Sequence, residues 1–324
     1  MIIEDKIYGK EEINEPVLID LVNSAAIQRL KEISQFGMPD EYYHIPTFSR
    51  FEHSIGVLIL LRKLGAALDE QVVGLLHDVS HMAFSHVIDW VIGDPTKEDH
   101  QDKTLLKTIE KTNIKKILER HGFDYKKIAD VKSYSLLEQP APLLCADRVD
   151  YSLREIKLLH SEQDAEKILK DLKNIDGKII LVSPETAELL ARHYINLNKE
   201  HWAGNEAKAR YYILADILKK AIKEKIISIK DLMKTDKEII EALNKSDNEE
   251  ILSGLKLLKN GFCLKKTKKG GIILQKKFRY IDPRFFHNGK IVTLSEFSKD
   301  YKEILEKERK RSLIREEFLI IPIK

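Results

Sequence analysis

Several side chains that bind metal ions or transfer protons lie close together in the first third of the sequence. The group consists of His53, His77, Asp78, His81, His86 and His100. Imidazole and carboxylate groups are common donors to divalent metals, and imidazole also transfers protons near neutral pH. This concentration predicts a metal centre or a site of proton transfer.

The pair His77-Asp78 is the first indication of a metal ligand set. It directly follows Val72-Val73-Gly74-Leu75-Leu76, a stretch typical of a buried helix. Burying both polar groups costs free energy unless a partner satisfies them, and a metal ion is the usual partner. Neighbouring residues on a helix point about 100° apart, so both side chains can reach one ion at a bend.

His53 is a further candidate ligand. Gly56, Val57, Leu60 and Leu61 follow it at helical spacing, so His53 projects from the core-facing stripe of its helix. A single histidine in such a position is more often a satisfied core residue than a ligand. Two such histidines, one of them next to an aspartate, favour a metal centre.

These residues belong to longer blocks that resemble a known enzyme family. The blocks are Arg50-Phe51-Glu52-His53-Ser54-Ile55-Gly56, His77-Asp78-Val79-Ser80-His81-Met82-Ala83-Phe84-Ser85-His86 and Asp147-Arg148-Val149-Asp150-Tyr151. They resemble the HD-domain metal phosphohydrolases, in the form found in the deoxynucleoside triphosphate triphosphohydrolases. That group includes the bacterial dGTPases and the sterile-alpha-motif HD-domain enzymes of animals. The resemblance covers residues 1–215 and is weaker beyond them.

The resemblance implies a divalent metal ion and a catalytic set around it. The metal ligands would be His53, His77, Asp78 and Asp147. Such nitrogen and oxygen donors suit Mn, Mg, Fe, Co, Ni or Zn alike. His86 matches the histidine that faces the α-phosphate, and Asp89, one helical turn later, would orient it. For His81, direct chemistry and a hydrogen bond that positions another group are equally open.

His100 matches a downstream catalytic histidine that a glutamate follows in the family. Here Gln101 follows it instead. A histidine–glutamate relay is therefore not expected, and Asp99 or Asp102 would take the place of the glutamate.

Six further residues are implied in binding a nucleotide substrate. They are Gln35, Phe36, Arg50, Arg148, Tyr151 and His201. The two arginines would clamp a triphosphate, since planar guanidinium groups bind phosphate oxygens bidentately. In the family, the residues at Gln35-Phe36 bond the 3′-hydroxyl and exclude a 2′-hydroxyl. The alternatives are an Arg148–Asp150 ion pair and core positions for Phe36 and Tyr151.

The leading functional hypothesis is metal-dependent hydrolysis of a deoxynucleoside triphosphate to the deoxynucleoside and inorganic triphosphate. One alternative is an HD-type phosphatase or phosphodiesterase that acts on another nucleotide. Another is a nucleotide-binding regulator with a degenerate metal site, which the complete ligand set argues against. Phe36 and the two arginines favour the triphosphate over a monophosphate.

The resemblance also implies a homo-oligomer, a dimer or higher, because regulated relatives bind a guanine nucleotide at a subunit interface. Asn23 stands where those relatives carry an aspartate that reads guanine, and Glu4 replaces an asparagine. An amide offers one acceptor oxygen where a carboxylate accepts hydrogen bonds on two. We therefore expect no strong GTP switch.

The elements that position these residues are mostly helical up to residue 226. Apolar residues recur at helical spacing in residues 18–33, 52–64, 72–77, 104–120 and 183–202. Beyond them, helices through residue 258 precede apparent strands at 272–280, 290–294 and 318–323. The pattern predicts a mainly α fold, with a helical HD-domain core at 1–226 and a smaller α+β domain at 227–324.

Composition excludes several classes of protein. The 324 residues include 55 Lys+Arg and 52 Asp+Glu, a net charge of +3 that argues against a dedicated nucleic-acid binder. Two cysteines cannot build a disulfide framework. The longest apolar run, residues 57–61, is too short to span a membrane, and the N-terminus lacks signal-peptide features. A cytoplasmic protein that does not associate with membranes is expected.

Overall fold

Helices dominate the computed structural model, which describes residues 1–95, 100–274 and 276–323. The α-helices are α1 Pro16–Val22, α2 Ala25–Arg29, α3 Arg50–Lys63, α4 Leu68–Leu76, α5 Val87–Val91, α6 His100–Lys111, α7 Ile114–Arg120, α8 Tyr125–Ile128, α9 Ala146–Leu159, α10 Glu162–Asp171, α11 Pro184–Leu197, α12 Asn205–Lys223, α13 Asp236–Asn244, α14 Glu249–Asn260, α15 Leu294–Phe297 and α16 Lys299–Ser312. A π-helical segment, Asn198–Trp202, continues α11. The prediction of a mainly α fold is confirmed. None of the helices in the described chain is long and apolar enough to cross a membrane.

The strands of the described chain form small sheets. They are β1 Ile2–Asp5, β2 Gly9–Glu12, β3 Leu172–Ile175, β4 Lys178–Leu181, β5 Phe262–Thr267, β6 Ile272–Ile273, β7 Arg284–His287, β8 Lys290–Thr293 and β9 Glu317–Pro322. The sheet orders are β1-β2, β5-β9-β6 and β3-β4-β7-β8. In the last sheet, β4 pairs with β7 in parallel at Leu181 and Phe285, so that sheet joins strands from both sides of residue 226.

Two clusters of buried apolar side chains make up the core. The first surrounds α3, α4 and α9 and also contains Ile281, Phe285, Leu294 and Tyr301. The second joins Phe36 to α12, α13, α14 and the β5-β9-β6 sheet. Segments from before and after residue 226 therefore contribute to both clusters. The division into domains 1–226 and 227–324 stays a prediction.

Helix α3 begins at a complete capping box. The Ser49 hydroxyl accepts a hydrogen bond from the Glu52 backbone N–H, and the Glu52 carboxylate accepts one from the Ser49 backbone N–H. This reciprocal arrangement satisfies two N–H groups that a helix start leaves unpaired. It fixes the first turn of α3, and His53 comes directly after Glu52 in that helix.

Gly56 allows α3 and α9 to approach closely. A Cβ atom at this position would lie 2.0 Å from side-chain atoms of Asp150 and Arg154 on α9. A side chain larger than hydrogen would therefore separate the helix that carries His53 from the helix that carries Asp147.

Three predicted elements differ from the structure. The helix expected at 18–33 is interrupted at Ser24, whose side chain caps α2. The helix expected at 104–120 is interrupted after Lys111, at Thr112, whose hydroxyl donates to the Thr108 backbone oxygen. The strand expected at 272–280 is limited to Ile272–Ile273, because its partner strand begins at Glu317, the residue that pairs with Ile273.

Candidate metal centre and active site

Three of the predicted ligands meet in space. His53 lies in the first turns of α3, His77 directly follows α4 and Asp147 lies in the first turn of α9. The His53 Nε2 atom is 3.0 Å from Asp147 Oδ1 and 3.3 Å from His77 Nε2, and the His77–Asp147 distance is 3.6 Å. Donor atoms bound to one ion at about 2.0–2.2 Å have separations of this size. The three side chains therefore fit a single divalent metal ion.

Asp78, the fourth predicted ligand, lies beside the same group. Its carboxylate oxygens are 3.5 Å from His77 Nε2 and 3.7 Å from His53 Nε2. It also accepts a 2.6 Å hydrogen bond from Arg50 Nη1. The guanidinium compensates the buried negative charge and restrains the carboxylate beside the three other donors.

The outer nitrogen atoms of both imidazoles are hydrogen bonded. His53 Nδ1 is 2.7 Å from an Asp150 carboxylate oxygen, and His77 Nδ1 is 2.7 Å from the Gly74 backbone oxygen. Arg154 contacts Asp150 at 2.8 Å in turn. Because both acceptors require a donor, each Nδ1 carries a proton, and Nε2 is the nitrogen that each ring can offer to a metal ion after losing its own proton.

The segment before His86 has an unusual backbone conformation. Phe84 and Ser85 have φ angles of 65° and 46°, in the left-handed region that residues other than glycine rarely adopt. The Phe84 backbone N–H donates to Asp236, and the Ser85 hydroxyl donates to the Ser34 backbone oxygen. These hydrogen bonds stabilise the turn that positions His86.

The predicted catalytic histidines His81 and His86 lie at right angles, with ring centroids 5.1 Å apart. His81 Nε2 is 3.2 Å from Asp78 Oδ1. Burial, assisted by the charge of Arg50, lowers the pKa of His81 to about 3. His86 Nδ1 is 3.5 Å from Asp89 Oδ2. The roles of both histidines stay predictions.

His100 begins α6, and its backbone N–H donates a 3.2 Å hydrogen bond to Asp89. Of the two acids expected near it, Asp99 lies outside the described residues. Asp102 is described and lines the cavity, where partial desolvation and the nearby Asp78 charge raise the pKa of its carboxyl group.

A cavity of about 660 Å³ opens onto the ligand group. This volume is within the range of small-molecule sites. All six predicted substrate-binding residues line it, namely Gln35, Phe36, Arg50, Arg148, Tyr151 and His201. The same wall includes His77, Asp78, His81, His86, Asp102 and Asp147. His53, Asp89 and His100 are not part of the lining.

One wall of the cavity is aromatic. The buried Phe36 ring lies edge to face with the His201 ring, at 4.3 Å between centroids. The Tyr43 hydroxyl is 2.9 Å from His201 Nε2, and Glu155 is 2.8 Å from His201 Nδ1. Sequence reasoning missed Tyr43 and Glu155, although Glu155 lies one helical turn after Tyr151 on α9.

Arg148 lines the cavity with its guanidinium group bonded to the chain itself. It donates to the backbone oxygens of Gln139 and Leu143. The carboxylate of Asp150, its alternative partner from the sequence, is instead hydrogen bonded to His53 and Arg154. Arg148 thus borders the cavity beside Asp147.

Comparison with known proteins identifies the family. The HD domain family matches residues 50–155, which contain the four predicted ligands. The uncharacterized protein YdhJ of Bacillus subtilis is 37% identical over 310 residues, 94% of this chain and 95% of YdhJ. The metal-dependent phosphohydrolase cns2 of Cordyceps militaris is 38% identical over 213 residues, 63% of this chain and 61% of cns2. The chain belongs to the HD-domain phosphohydrolases.

The name of a more distant relative of this HD-domain phosphohydrolase states a substrate class. The deoxynucleoside triphosphate triphosphohydrolase SAMHD1 homolog of Dictyostelium discoideum is 25% identical over 305 residues, 80% of this chain and 58% of that protein. The chain thus spans about three fifths of the lengths of this protein and of cns2. A crystal structure of a phosphohydrolase from Bacteroides thetaiotaomicron covers 100% of both chains with a TM-score of 0.73 and 18% identity, which shows a shared fold.

The predicted enzyme class and metal dependence are confirmed by this membership. Within the HD centre, burial acts to raise the pKa of Asp147, but hydrogen bonds from His53 and His77 hold it well below its usual range. Burial likewise acts to lower the pKa of His77, but Asp78 and Asp147 raise it to about 9. An imidazole binds a metal only when that nitrogen is deprotonated, so metal binding here releases protons.

Five cationic side chains missed by sequence reasoning also line the cavity of this HD-domain phosphohydrolase. They are Lys103, Lys132, Lys208, Lys277 and Arg279. They come from four distant segments and share no local pattern, so only the fold brings them together. With Arg50 and Arg148, the lining has seven cations against six acidic side chains. Two of these acids, Asp78 and Asp147, belong to the predicted ligand group, so the rest of the wall carries an excess of positive charge that favours an anionic ligand.

Proposed function

We propose that this HD-domain phosphohydrolase cleaves deoxynucleoside triphosphates into the deoxynucleoside and inorganic triphosphate. The supporting observation is the His53, His77 and Asp147 donor group at a cavity walled by two predicted arginines and five further cations. A triphosphate is the most highly charged form of a nucleotide and gains most from such walls. The name of the Dictyostelium relative points to the same substrate class.

The sugar would lie against the aromatic wall. Gln35 lines the cavity, and its Oε1 atom is buried without a hydrogen-bond partner in the described chain. A buried acceptor in this state is costly unless a ligand supplies a donor. A 3′-hydroxyl group is such a donor, and the Phe36 ring beside it leaves little room for a 2′-hydroxyl.

Hydrolysis requires an attacking water and a protonated leaving group. A bound divalent ion would polarise a phosphoryl oxygen and favour ionisation of a water. Water attack at the α-phosphorus breaks the bond to the 5′-oxygen, and the nucleoside leaves. His86 lines the cavity and would donate the proton to the departing 5′-oxygen, with Asp89 restraining its ring.

The decisive experiment is a product analysis. The metal-loaded protein is incubated with the deoxynucleoside and ribonucleoside triphosphates and with the corresponding monophosphates, and the products are separated by chromatography. We expect inorganic triphosphate and deoxynucleoside, with label from heavy-oxygen water appearing in the triphosphate. Monophosphate plus pyrophosphate as products, or label in the nucleoside, would contradict the proposed reaction.

The sugar assignment is tested by Phe36→Ala. The variant should raise ribonucleotide hydrolysis relative to deoxyribonucleotide hydrolysis, by up to about 10² in the ratio of kcat/KM, the limit for a small steric feature. Phe48→Ala is a matched control, because Phe48 packs 5.4 Å from Phe36 and lies outside the cavity lining. A ratio unchanged by Phe36→Ala in a folded protein would make Phe36 a core residue only.

Hydrolysis of another nucleotide phosphate ester is the second candidate function. Arg50 donates a hydrogen bond to Asp78, and Arg148 donates to backbone oxygens. These bonds use guanidinium N–H groups that a triphosphate would need. The relative cns2, at 38% identity, is named a metal-dependent phosphohydrolase without a stated substrate. A higher kcat/KM for a monophosphate in the same panel, with orthophosphate as product, would favour this function.

A further inference from the structure

Four side chains outside the cavity lining form a second group of the metal-binding type. His160 follows the last residue of α9, His193 lies in α11, Asp164 in α10 and Glu200 in the π-helical segment. The two histidine Nδ1 atoms are 2.9 Å apart. His193 Nε2 is 2.9 Å from Asp164, and His160 Nε2 is 3.4 Å from Glu200.

The carboxylates determine which nitrogen atoms are free to bind a cation. The ionised Asp164 carboxylate only accepts hydrogen bonds, so His193 Nε2 carries a proton, and the negative charge of Glu200 at 3.4 Å favours the same tautomer for His160. The lone pairs of the two Nδ1 atoms then face each other and need a proton or a cation between them. A histidine whose other nitrogen donates to a carboxylate is the usual arrangement at a metal ligand.

The distances are close to those of a tetrahedral site. Two nitrogen ligands at about 2.0–2.1 Å from a tetrahedral ion are about 3.3 Å apart, with imidazole centroids about 5.2 Å apart. The centroids of His160 and His193 are 5.1 Å apart, so binding requires the Nδ1 atoms to separate by about 0.4 Å and the two rings to tilt towards a shared ion. The side chains retain 17% and 14% exposure, through which water can complete the coordination.

We propose that His160 and His193 bind a second metal ion, a divalent transition metal of the zinc class. Imidazole nitrogen suits Zn, Ni, Cu and Co, whereas Mg prefers oxygen ligands. The assignment concerns binding at this pair only and is independent of the reaction proposed for the cavity.

A bound ion would link helices whose neighbouring residues contact or form the cavity wall. His193 precedes Tyr194, whose hydroxyl is 2.8 Å from that of the cavity residue Tyr151. Glu200 precedes His201, which lines the cavity. The ion would therefore link the end of α9 to α11, behind the aromatic wall.

The test is a zinc titration with elemental analysis of the whole protein after removal of unbound metal. We expect His160→Gln and His193→Gln each to retain one equivalent less than the native protein. His121→Gln is the matched control, because His121 also contacts an aspartate, Asp20, at 2.6 Å but is not paired with a second histidine in the described chain. It should retain the native amount.

Thermal unfolding provides an independent readout. The second equivalent of zinc should raise the Tm of the native protein and of His121→Gln, because a ligand that binds only the folded state stabilises it. The same equivalent should leave the Tm of folded His160→Gln and His193→Gln unchanged. Equal zinc content and equal Tm response in the native protein and both variants would overturn the proposal.

Discussion

Asp147 is the residue on which both predicted histidine ligands converge. Its Oδ1 atom is 3.0 Å from His53 Nε2 and 3.6 Å from His77 Nε2. Asp147→Ala should remove bound manganese and hydrolase activity together, since the remaining donors cannot replace a lost ligand. Elemental analysis after manganese loading measures this, with Asp20→Ala, which removes a carboxylate from His121, as control. Stoichiometric manganese in Asp147→Ala would refute the ligand assignment.

Asp236 connects two segments of the active site from a position late in the chain. Its carboxylate accepts hydrogen bonds from the backbone N–H groups of Ser34 and Phe84, at 2.8 Å and 2.7 Å. Burial raises the pKa of this carboxyl group from 3.8 to about 7, against the effect of these two hydrogen bonds. The folded protein thus binds this proton more tightly than the unfolded chain.

A pH-dependent stability follows for Asp236→Asn. The contribution of the native carboxyl group is complete below about pH 4 and is lost as the pH rises through about 7. The unfolding free energy of the native protein relative to Asp236→Asn should therefore fall over this range, by at most about 4 kcal/mol.

Urea unfolding at several pH values measures this difference. Asp231→Asn serves as the control, since hydrogen bonds from Lys234 and Ser228 hold the Asp231 pKa below its usual range. Parallel curves for the native protein and Asp236→Asn would show that Asp236 does not titrate in this range.

At the scale of elements, helix α9 carries much of the site on one face. Asp150 and Tyr151 follow Asp147 by three and four residues, and Glu155 follows Tyr151 by four, the spacing of neighbours on a helix surface. They supply a proposed metal donor, the partner of His53, and two positions of the cavity wall. The distance between α9 and α3 therefore affects the metal centre directly.

Gly56→Ala tests this dependence. The added Cβ would overlap Asp150 and Arg154, so the variant should lose about 1–3 kcal/mol of stability from overpacking. Displacement of Asp150 from His53 should also weaken metal affinity about 10- to 100-fold. Calorimetric titration with manganese measures the affinity.

Gly254→Ala is the matched control for Gly56→Ala. Its Cβ would lie 2.8 Å from the Ile217 side chain, at a helix contact remote from the metal. It should reduce stability without changing metal affinity. Native metal affinity in Gly56→Ala would show that α3 and α9 tolerate separation.

At the scale of the whole molecule, the active-site helices share a core with the C-terminal part of the chain. Ile281, Phe285, Leu294 and Tyr301 pack in the same cluster as α3 and α9. The Tyr301 hydroxyl also donates a hydrogen bond to the Ile281 backbone oxygen within that core. Such continuous packing is typical of parts that unfold together.

We therefore expect residues 53–61 and 281–305 to unfold in one cooperative transition. Hydrogen exchange followed by mass spectrometry at increasing urea measures the opening free energy of each segment. The two values should converge on the same global unfolding free energy. Residues 2–5, in the largely exposed β1–β2 hairpin, should open at lower free energy and serve as the internal comparison. Complete exchange of 281–305 under conditions that protect 53–61 would contradict a shared unfolding unit.

The sequence by itself determined the family, the helical class and the side chains offered to a metal, because these depend on local patterns. His77-Asp78 after a buried helix and His53 on a core-facing stripe need no knowledge of distant residues. Only the tertiary structure decided which groups meet: Tyr43 with His201, Asp236 with Ser34 and Phe84, and His160 with His193. These partners lie far apart along the chain, and no local periodicity encodes a contact that helix packing creates. The local pattern of helix α9 likewise placed Arg148 near the centre, but only the fold showed that backbone oxygens engage its guanidinium group.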